Sequence, residues 1–197
     1  MDIGKIVVYT GPMKSGKTTA LITKYLEIKQ LNQYRIKMFK PTIDSRFSND
    51  YVMCRNEISV KAINIEDLQD LLQYKDDYDI FFIDEFQFIT GDINILRDLL
   101  SNGKSLYISG LNLTAECKVF GLMGDLLCNA TKIIYLKGIC DECGSINGTY
   151  SYYTPTKTND IAIGDDEYLC LCPSCYNRRM KNGKWYESIW TTDRLCQ

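Results

Sequence analysis

One segment near the N-terminus limits what this chain can fold into more than any other feature of its sequence. It follows the pattern G-x-x-x-x-G-K-[ST] of a phosphate-binding loop, as Gly11-Pro12-Met13-Lys14-Ser15-Gly16-Lys17-Thr18. The motif requires a strand before it and a helix after it, and the sequence predicts both, at Lys5 to Tyr9 and at Lys17 to Gln30. Glycines let backbone amides surround a phosphate, and the N-terminus of the helix adds positive potential. Lys17 is predicted to reach the β- and γ-phosphates and Thr18 to bind Mg²⁺, so the segment predicts a nucleoside triphosphate site.

The rest of the first two thirds of the chain alternates short β-rich runs with helical stretches, which is typical of a parallel sheet covered by helices. Apolar residues make up 45% of the chain, enough for a buried core. Further strands are predicted at 35 to 39, 60 to 63, 78 to 83, 105 to 109 and 132 to 136, and further helices at 65 to 74, 92 to 102 and 122 to 129. The sequence therefore predicts an α/β fold of the phosphate-loop NTPase type, in a nucleotide-binding domain of residues 1–137.

Two carboxylates follow the apolar strand predicted at 78 to 83. In an open α/β sheet, ligands bind beyond the carboxyl ends of the strands, so Asp84 and Glu85 are expected beside the phosphate-binding loop. Asp84 is predicted to hold Mg²⁺, and Glu85 to accept a proton from the attacking group. Glu85 could position a water molecule, as in an NTPase, or deprotonate a substrate hydroxyl, as in a kinase. These two motifs leave both reactions open.

The cysteines are the third feature that carries chemistry. Two pairs, Cys140-x-x-Cys143 and Cys172-x-x-Cys175, are separated by 28 residues and have the spacing of a four-thiolate structural zinc site. Cys170 does not have that spacing and is assigned as a buried or free thiol. The segment between the pairs is predicted to be a lid, whose tyrosines could pack against a flat ring. Residues 138–197 are thus predicted to form a zinc-binding module with a C-terminal tail.

Charge and hydropathy exclude two classes of partner. Lysine and arginine number 23 against 25 acidic residues, a formal net charge of −2, so no nucleic-acid partner is expected. The longest apolar runs span four residues, far below the roughly 20 that a membrane helix needs. With no export signal recognised, a cytoplasmic location is expected. The basic stretch at 177 to 184 favours a solvated tail, with a subunit or nucleotide contact as the alternative.

Taken together, these motifs closely resemble the type II thymidine kinases. The resemblance runs in order from about residue 4 to 176 and includes Asp44-Ser45-Arg46, Asp84-Glu85-Phe86-Gln87-Phe88 and Phe120-Gly121, besides the phosphate-binding loop and the cysteine pairs. It implies transfer of the γ-phosphate of ATP to the 5′-hydroxyl of thymidine, with Mg²⁺ and a structural zinc ion. It also implies a homotetramer, feedback inhibition by thymidine triphosphate, and a role in nucleotide salvage for DNA synthesis.

The resemblance also implies roles for single residues. Glu85 resembles the catalytic base, Arg46 the arginine that stabilises the transferring phosphoryl group, and Asp44 a residue that organises the water shell of Mg²⁺. The segment between the cysteine pairs is similar to the family's lasso, with Tyr168 closing over the nucleoside. Other substrate-binding residues implied are Met13, Leu111 and Phe120 around the thymine, and the main chain of Ile161, Ile163 and Gly164 at the pyrimidine edge.

The chain departs from the family pattern at several places. Ala115 stands where the family usually has an aromatic residue, and Asn112 where it commonly has Asp. The chain has no histidine, and its lasso is one residue shorter between Ile163 and Tyr168. Two alternatives to thymidine phosphorylation therefore stay open. One is a kinase of another deoxynucleoside, and the other is a zinc-containing NTPase switch, against which Arg46 argues.

Overall fold

A seven-stranded sheet organises the structure, a computed structural model that describes residues 4–44, 50–54, 58–154 and 167–182. The strand order is β3-β4-β2-β5-β6-β1-β7, and all neighbours are parallel except β3 and β4. The strands are β1 (Ile6–Thr10), β2 (Ile36–Pro41), β3 (Tyr51–Met53), β4 (Ser59–Ile65), β5 (Ile80–Ile83), β6 (Ser105–Gly110) and β7 (Lys132–Tyr135). The helices around this sheet are α1 (Lys17–Gln30), α2 (Asn94–Ser101) and α3 (Met123–Asn129), with 3-10 helices at Leu68–Tyr74 and Phe86–Phe88. The predicted α/β fold is confirmed.

Both faces of the central strands are buried, which explains their continuous apolar sequences. Successive side chains of a strand point to opposite faces. Val7 of β1 therefore packs in one cluster with Leu21 of α1, whereas Ile6 packs on the other face in a cluster with Leu96 of α2. The sheet is thus held between α1 on one side and α2, α3 and the first 3-10 helix on the other.

Helix α1 has the bounds that its apolar spacing predicts, but the next predicted helix differs from the structure. Ile65 extends β4 and pairs with Pro41 of β2, so the helical segment starts only at Leu68 and is a 3-10 helix. Asp67 caps it, because its side chain accepts a hydrogen bond from the Gln69 amide. Strand β3 was not predicted, since three residues are too few to establish a period.

A second, two-stranded antiparallel sheet pairs β8 (Tyr150–Tyr153) with β9 (Tyr168–Leu171), and α4 (Pro173–Asn182) follows it. Helix α4 was not predicted, because it is polar apart from a few residues. Tyr176 anchors it by stacking on Tyr150 with ring centroids 4.4 Å apart. Part of the basic stretch that the sequence assigned to a solvated tail lies in this helix. In the described parts of the chain, no helix has the length and apolarity needed to cross a membrane.

Candidate active site

The phosphate-binding loop joins the end of β1 to the start of α1, and glycine is required at both of its ends. Gly11 has φ 147°, and a Cβ atom there would lie 2.1 Å from the Leu136 carbonyl oxygen. Gly16 has φ 81° and forms the N-cap of α1. A left-handed conformation at that point turns the chain into the helix at no steric cost for glycine. The sequence pattern therefore reflects two backbone constraints and not flexibility.

Lys17 lies in the first turn of α1 and is buried, with 8% of its surface exposed. Its ammonium group donates a hydrogen bond to the Pro12 carbonyl oxygen at 2.6 Å. The Ser15 hydroxyl donates to the same oxygen at 2.8 Å. The ammonium is thus held against the loop, where it can exchange this carbonyl for the oxygen of a phosphate.

Asp84 lies directly after β5 and is buried beside the helix that follows the loop. Its carboxylate accepts hydrogen bonds from the Thr18 hydroxyl, at 3.0 and 3.2 Å, and from the Ser109 hydroxyl at the end of β6. Burial, together with the charge of Glu85, raises the pKa of Asp84 to about 7, although the two hydroxyls act in the opposite direction. A divalent cation beside Asp84 and Thr18 would favour the ionised form of Asp84 and so lower its pKa, because it supplies positive charge next to the carboxylate.

Glu85 adopts a left-handed conformation, with φ 51°, at the N-cap of the Phe86–Phe88 turn. Its side chain is buried and accepts a hydrogen bond from the Gln87 amide nitrogen at 2.5 Å. The Gln87 amide oxygen in turn accepts from the Leu111 backbone N–H at 3.0 Å. A non-glycine residue in this conformation persists only where its surroundings fix it. The Glu85 carboxylate is therefore oriented by the turn and by Gln87.

An open cleft of about 140 Å³ collects most of these side chains. It brings together Lys17, Thr18, Asp44, Asp84 and Glu85 with residues of the phosphate-binding loop and of β3. Its lining consists of Met13, Lys14, Gly16, Lys17, Thr18, Thr19, Asp44, Tyr51, Val52, Met53, Cys54, Asp84 and Glu85. The elements that surround it, the loop after β1 and the ends of β2 and β5, come from separate parts of the sequence.

The other predicted substrate residues lie in three places. The Leu111 backbone N–H donates a hydrogen bond to the Gln87 side-chain oxygen, and Phe120 packs edge-on against Phe88 with ring centroids 5.3 Å apart. Tyr168 lies in β9 with its ring 5.3 Å from that of Tyr153 in β8. Four further predicted site residues, Arg46, Ile161, Ile163 and Gly164, lie outside the described residues.

The four paired cysteines form a compact cluster that could hold a metal ion. Their sulfur atoms all lie within 4.8 Å of one another, and the Cys143 and Cys172 sulfurs are 3.7 Å apart. A tetrahedral zinc ion with Zn–S bonds of about 2.3 Å requires sulfurs about 3.8 Å apart, so the donor set fits zinc. Despite burial, backbone hydrogen bonds lower the pKa of Cys140 to about 6, which favours the thiolate that a metal binds. Cys170 is fully buried and is not one of the four, as predicted.

Helix α4 supports this cluster through charged groups. Arg178 and Arg179 both pair with Glu142, which lies between two of the cysteines, and Arg178 also donates to the Cys175 sulfur at 3.3 Å. Hydrogen bonds from Arg179 and Arg178 lower the pKa of Glu142 to about 2. Such outer contacts orient the ligands of a metal site.

Comparison with known proteins decides the family. The family model described as "Thymidine kinase" matches residues 4–176. The chain belongs to the thymidine kinase family. It is similar to the thymidine kinase of Pseudothermotoga lettingae, with 36% identity over 178 residues that cover 89% of this chain and 96% of that one. It is also similar to the thymidine kinase of Bacteroides thetaiotaomicron, with 33% identity over 177 residues that cover 89% of this chain and 88% of that one.

Among solved structures, the comparison found a likeness to the flagellar accessory protein FlaH from Methanocaldococcus jannaschii. The TM-score is 0.43 at 11% sequence identity, covering 68% of this chain and 72% of that chain.

Two residues that contact the predicted acidic pair could not be identified from the sequence. Ser109 reaches Asp84 because β6 lies next to β5 in the sheet, with Ile108 opposite Ile83. Gln87 belongs to the segment that carries the family resemblance, yet no role was assigned to it. Gln87 is only two residues from Glu85, which was the one sign in the sequence that the two side chains could interact. The turn at 86 to 88 is what brings them together.

Proposed function

We propose that this thymidine kinase transfers the γ-phosphate of ATP to the 5′-hydroxyl of thymidine and releases thymidine monophosphate. The observation that carries the proposal is the convergence, in one cleft, of the phosphate-binding loop with Asp84 and Glu85. A buried ammonium, a hydroxyl next to a carboxylate, and a second, oriented carboxylate are the groups that phosphoryl transfer to an alcohol needs. Membership of the family supplies the acceptor.

The loop from Gly11 to Thr18 would bind the triphosphate, with Lys17 at the β- and γ-phosphates. Thr18 and Asp84 would hold Mg²⁺, and the buried Asp44 of the same cleft would order its water shell. The donor set supports this role, because oxygen ligands suit Mg²⁺ and the Thr18 hydroxyl is within 3.2 Å of both Asp84 oxygens. Mg²⁺, when bound, neutralises charge on the phosphates.

Glu85 would accept the proton of the thymidine 5′-hydroxyl as that oxygen attacks the γ-phosphorus. Two features support it as the base, namely its burial in the cleft wall and the hydrogen bond from Gln87 that aims its carboxylate. Phosphoryl transfer passes through a loose transition state, so positioning and charge neutralisation contribute more than proton removal. Lys17 would provide that charge, together with Arg46, whose role is carried by the sequence resemblance.

A second candidate substrate class, another deoxynucleoside, rests on Ala115, which stands where the sequence resemblance implies an aromatic residue. The Ala115 carbonyl accepts a hydrogen bond from the Tyr176 hydroxyl at 3.2 Å. The segment that contains Ala115 is therefore bound to the zinc module through its main chain, and the Ala115 side chain is only a methyl group. A smaller side chain there would either enlarge the pocket for a different base or leave the space to be filled by a neighbouring side chain.

We further propose a structural zinc ion on four cysteines, Cys140, Cys143, Cys172 and Cys175. We also propose that the chain divides into residues 1–137, which bind the nucleotide, and residues 138–197, which bind zinc and close over the nucleoside. The role of the main chain at Ile161, Ile163 and Gly164, with Tyr168, belongs to that closure. A homotetramer, feedback inhibition by thymidine triphosphate, a cytoplasmic location and a role in DNA precursor synthesis stay predictions from the sequence.

The test is ATP-dependent phosphate transfer to thymidine, deoxyuridine, deoxycytidine and deoxyguanosine, with a reaction lacking nucleoside to measure hydrolysis. Thymidine turnover well above that control is expected. Glu85→Gln should lower kcat while leaving the Kd for ATP within about twofold, because the loop that binds ATP is untouched. ATP hydrolysis without transfer to any nucleoside would overturn the kinase and leave the NTPase switch, and unchanged turnover in Glu85→Gln would remove that residue from its role.

A further inference from the structure

The zinc module contacts the phosphate-binding loop directly through a buried hydrogen bond. The Met13 backbone N–H, near the middle of the loop, donates to the Ser151 hydroxyl of β8 at 2.9 Å. The two residues are separated by 138 positions in sequence, and both are at least nine-tenths buried. Ser151 is opposite Cys170 in the β8–β9 ladder, so its place is set by the strand that leads into the second cysteine pair.

A second contact joins the next residue of the loop to the cysteine cluster. The Asp141 carboxylate accepts hydrogen bonds from the Lys14 ammonium at 3.1 Å and from the Cys170 backbone N–H at 2.8 Å. Asp141 itself lies between Cys140 and Cys143, and its own N–H donates to the Cys170 carbonyl at 2.8 Å. The carboxylate that meets Lys14 is therefore fixed by the backbone of the zinc module.

We infer that Ser151 and Asp141 are positioning residues for ATP, through which the folded zinc module holds the phosphate-binding loop in its binding shape. The inference rests on the proposed function of that loop. Met13 and Lys14 lie at its centre, between the two glycines that let it bend, and Lys14 has a left-handed conformation with φ 63°. Contacts at that point restrict the backbone of the two central residues, so less conformational entropy is lost when a triphosphate binds.

The expected effect follows from burial. Ser151→Ala would leave the buried Met13 N–H without the hydroxyl that now accepts its hydrogen bond, which destabilises the loop in this shape. Loss of a buried hydrogen bond of this kind corresponds to a change of about tenfold in affinity. The Lys14–Asp141 pair is partly exposed, with 23% and 32% of the side chains accessible, so its loss should change affinity only about twofold.

The experiment compares Ser151→Ala with Thr149→Val in the full chain. Thr149 precedes the same strand, and its buried hydroxyl has no hydrogen-bond partner among the described residues. Thr149→Val therefore removes one buried hydroxyl, as Ser151→Ala does, but breaks no contact with the loop. For each variant we would measure zinc content, the KM values for ATP and thymidine, kcat, and the Kd of a non-hydrolysable ATP analogue by calorimetry. Ser151→Ala should weaken ATP and analogue binding about tenfold with bound zinc unchanged, and Thr149→Val should match the wild type.

Analogue binding as tight in Ser151→Ala as in the wild type, with zinc retained, would overturn the inference. If Ser151→Ala loses zinc or fails to fold, Asp141→Asn tests the second contact, because asparagine keeps an oxygen for the Cys170 N–H. Asp141→Asn should weaken analogue binding about twofold in the wild type and not at all in a Lys14→Met background. Equal effects in both backgrounds would overturn the inference. Since analogue binding does not require transfer to thymidine, failure of the proposed function would be seen separately, in the substrate panel.

Discussion

Replacing Asp84 with asparagine should make the Mg²⁺-free protein more stable at neutral and alkaline pH. The Asp84 carboxylate is 3% exposed and lies beside Glu85, so it ionises in the folded protein against both burial and a like charge. These two effects raise the pKa of Asp84 from 3.8 to about 7. Asparagine is nearly the same size, keeps an oxygen for the Thr18 and Ser109 hydroxyls, and carries no charge.

The sign and the magnitude follow from linkage. Between about pH 4 and pH 7 the folded state binds the Asp84 proton more tightly than the unfolded state, so stability falls as pH rises through this window. Each tenfold change in proton affinity corresponds to about 1.4 kcal/mol, so raising the pKa of Asp84 from 3.8 to about 7 corresponds to a loss of about 4 kcal/mol above pH 7. The asparagine variant has no such loss. The difference in unfolding free energy between variant and wild type should therefore grow towards about 4 kcal/mol across the window.

Urea denaturation at pH 5, 6, 7 and 8 in Mg²⁺-free buffer, with zinc kept bound, measures this difference. Asp98→Asn replaces an exposed aspartate on α2, away from the cleft, and provides the matched control for removal of one carboxylate. Asp84→Asn should also lose Mg²⁺-dependent turnover, because the metal would lose a charged ligand. A stability difference that stays constant from pH 5 to 8, or a variant less stable than the wild type at pH 8, would refute the reasoning.

Three further predictions concern the turn after β5, the loop and the cysteine cluster. Gln87→Met should lower kcat about tenfold with ATP binding retained, because the Glu85 carboxylate and the Leu111 N–H each lose a buried hydrogen-bond partner. Steady-state kinetics would measure this, and an unchanged kcat would contradict it. Gly11→Ala should abolish ATP binding in calorimetry, because its Cβ would lie 2.1 Å from a backbone oxygen. Glu142→Gln should speed zinc release to a colorimetric chelator, as the carboxylate that pairs with two arginines of α4 loses its charge; an equal release rate would count against that role.

Features that depend on neighbours in sequence could be predicted without coordinates. The phosphate-binding loop, the bounds of α1 and the acidic pair after β5 are set by glycine conformations, by helical spacing and by continuous apolar runs. The two cysteine pairs belong to the same class, because a turn at 141 to 143 and the first turn of α4 bring the members of each pair together locally. Helix α4 was missed for the corresponding reason, since it is held by Tyr176 and two arginines and not by an apolar stripe.

Contacts between residues distant in sequence were decided only by the tertiary structure. Ser109 meets Asp84 because β6 is hydrogen-bonded to β5, and Ser151 meets Met13 because the zinc module packs against the loop. Neither serine belongs to a motif, since one hydroxyl among many carries no local pattern. The sequence by itself determined which groups are candidates for the chemistry, through constraints on a few consecutive residues. The packing of strands and modules decided which other groups hold them in place, because a hydrogen bond depends on distance in space and not on separation along the chain.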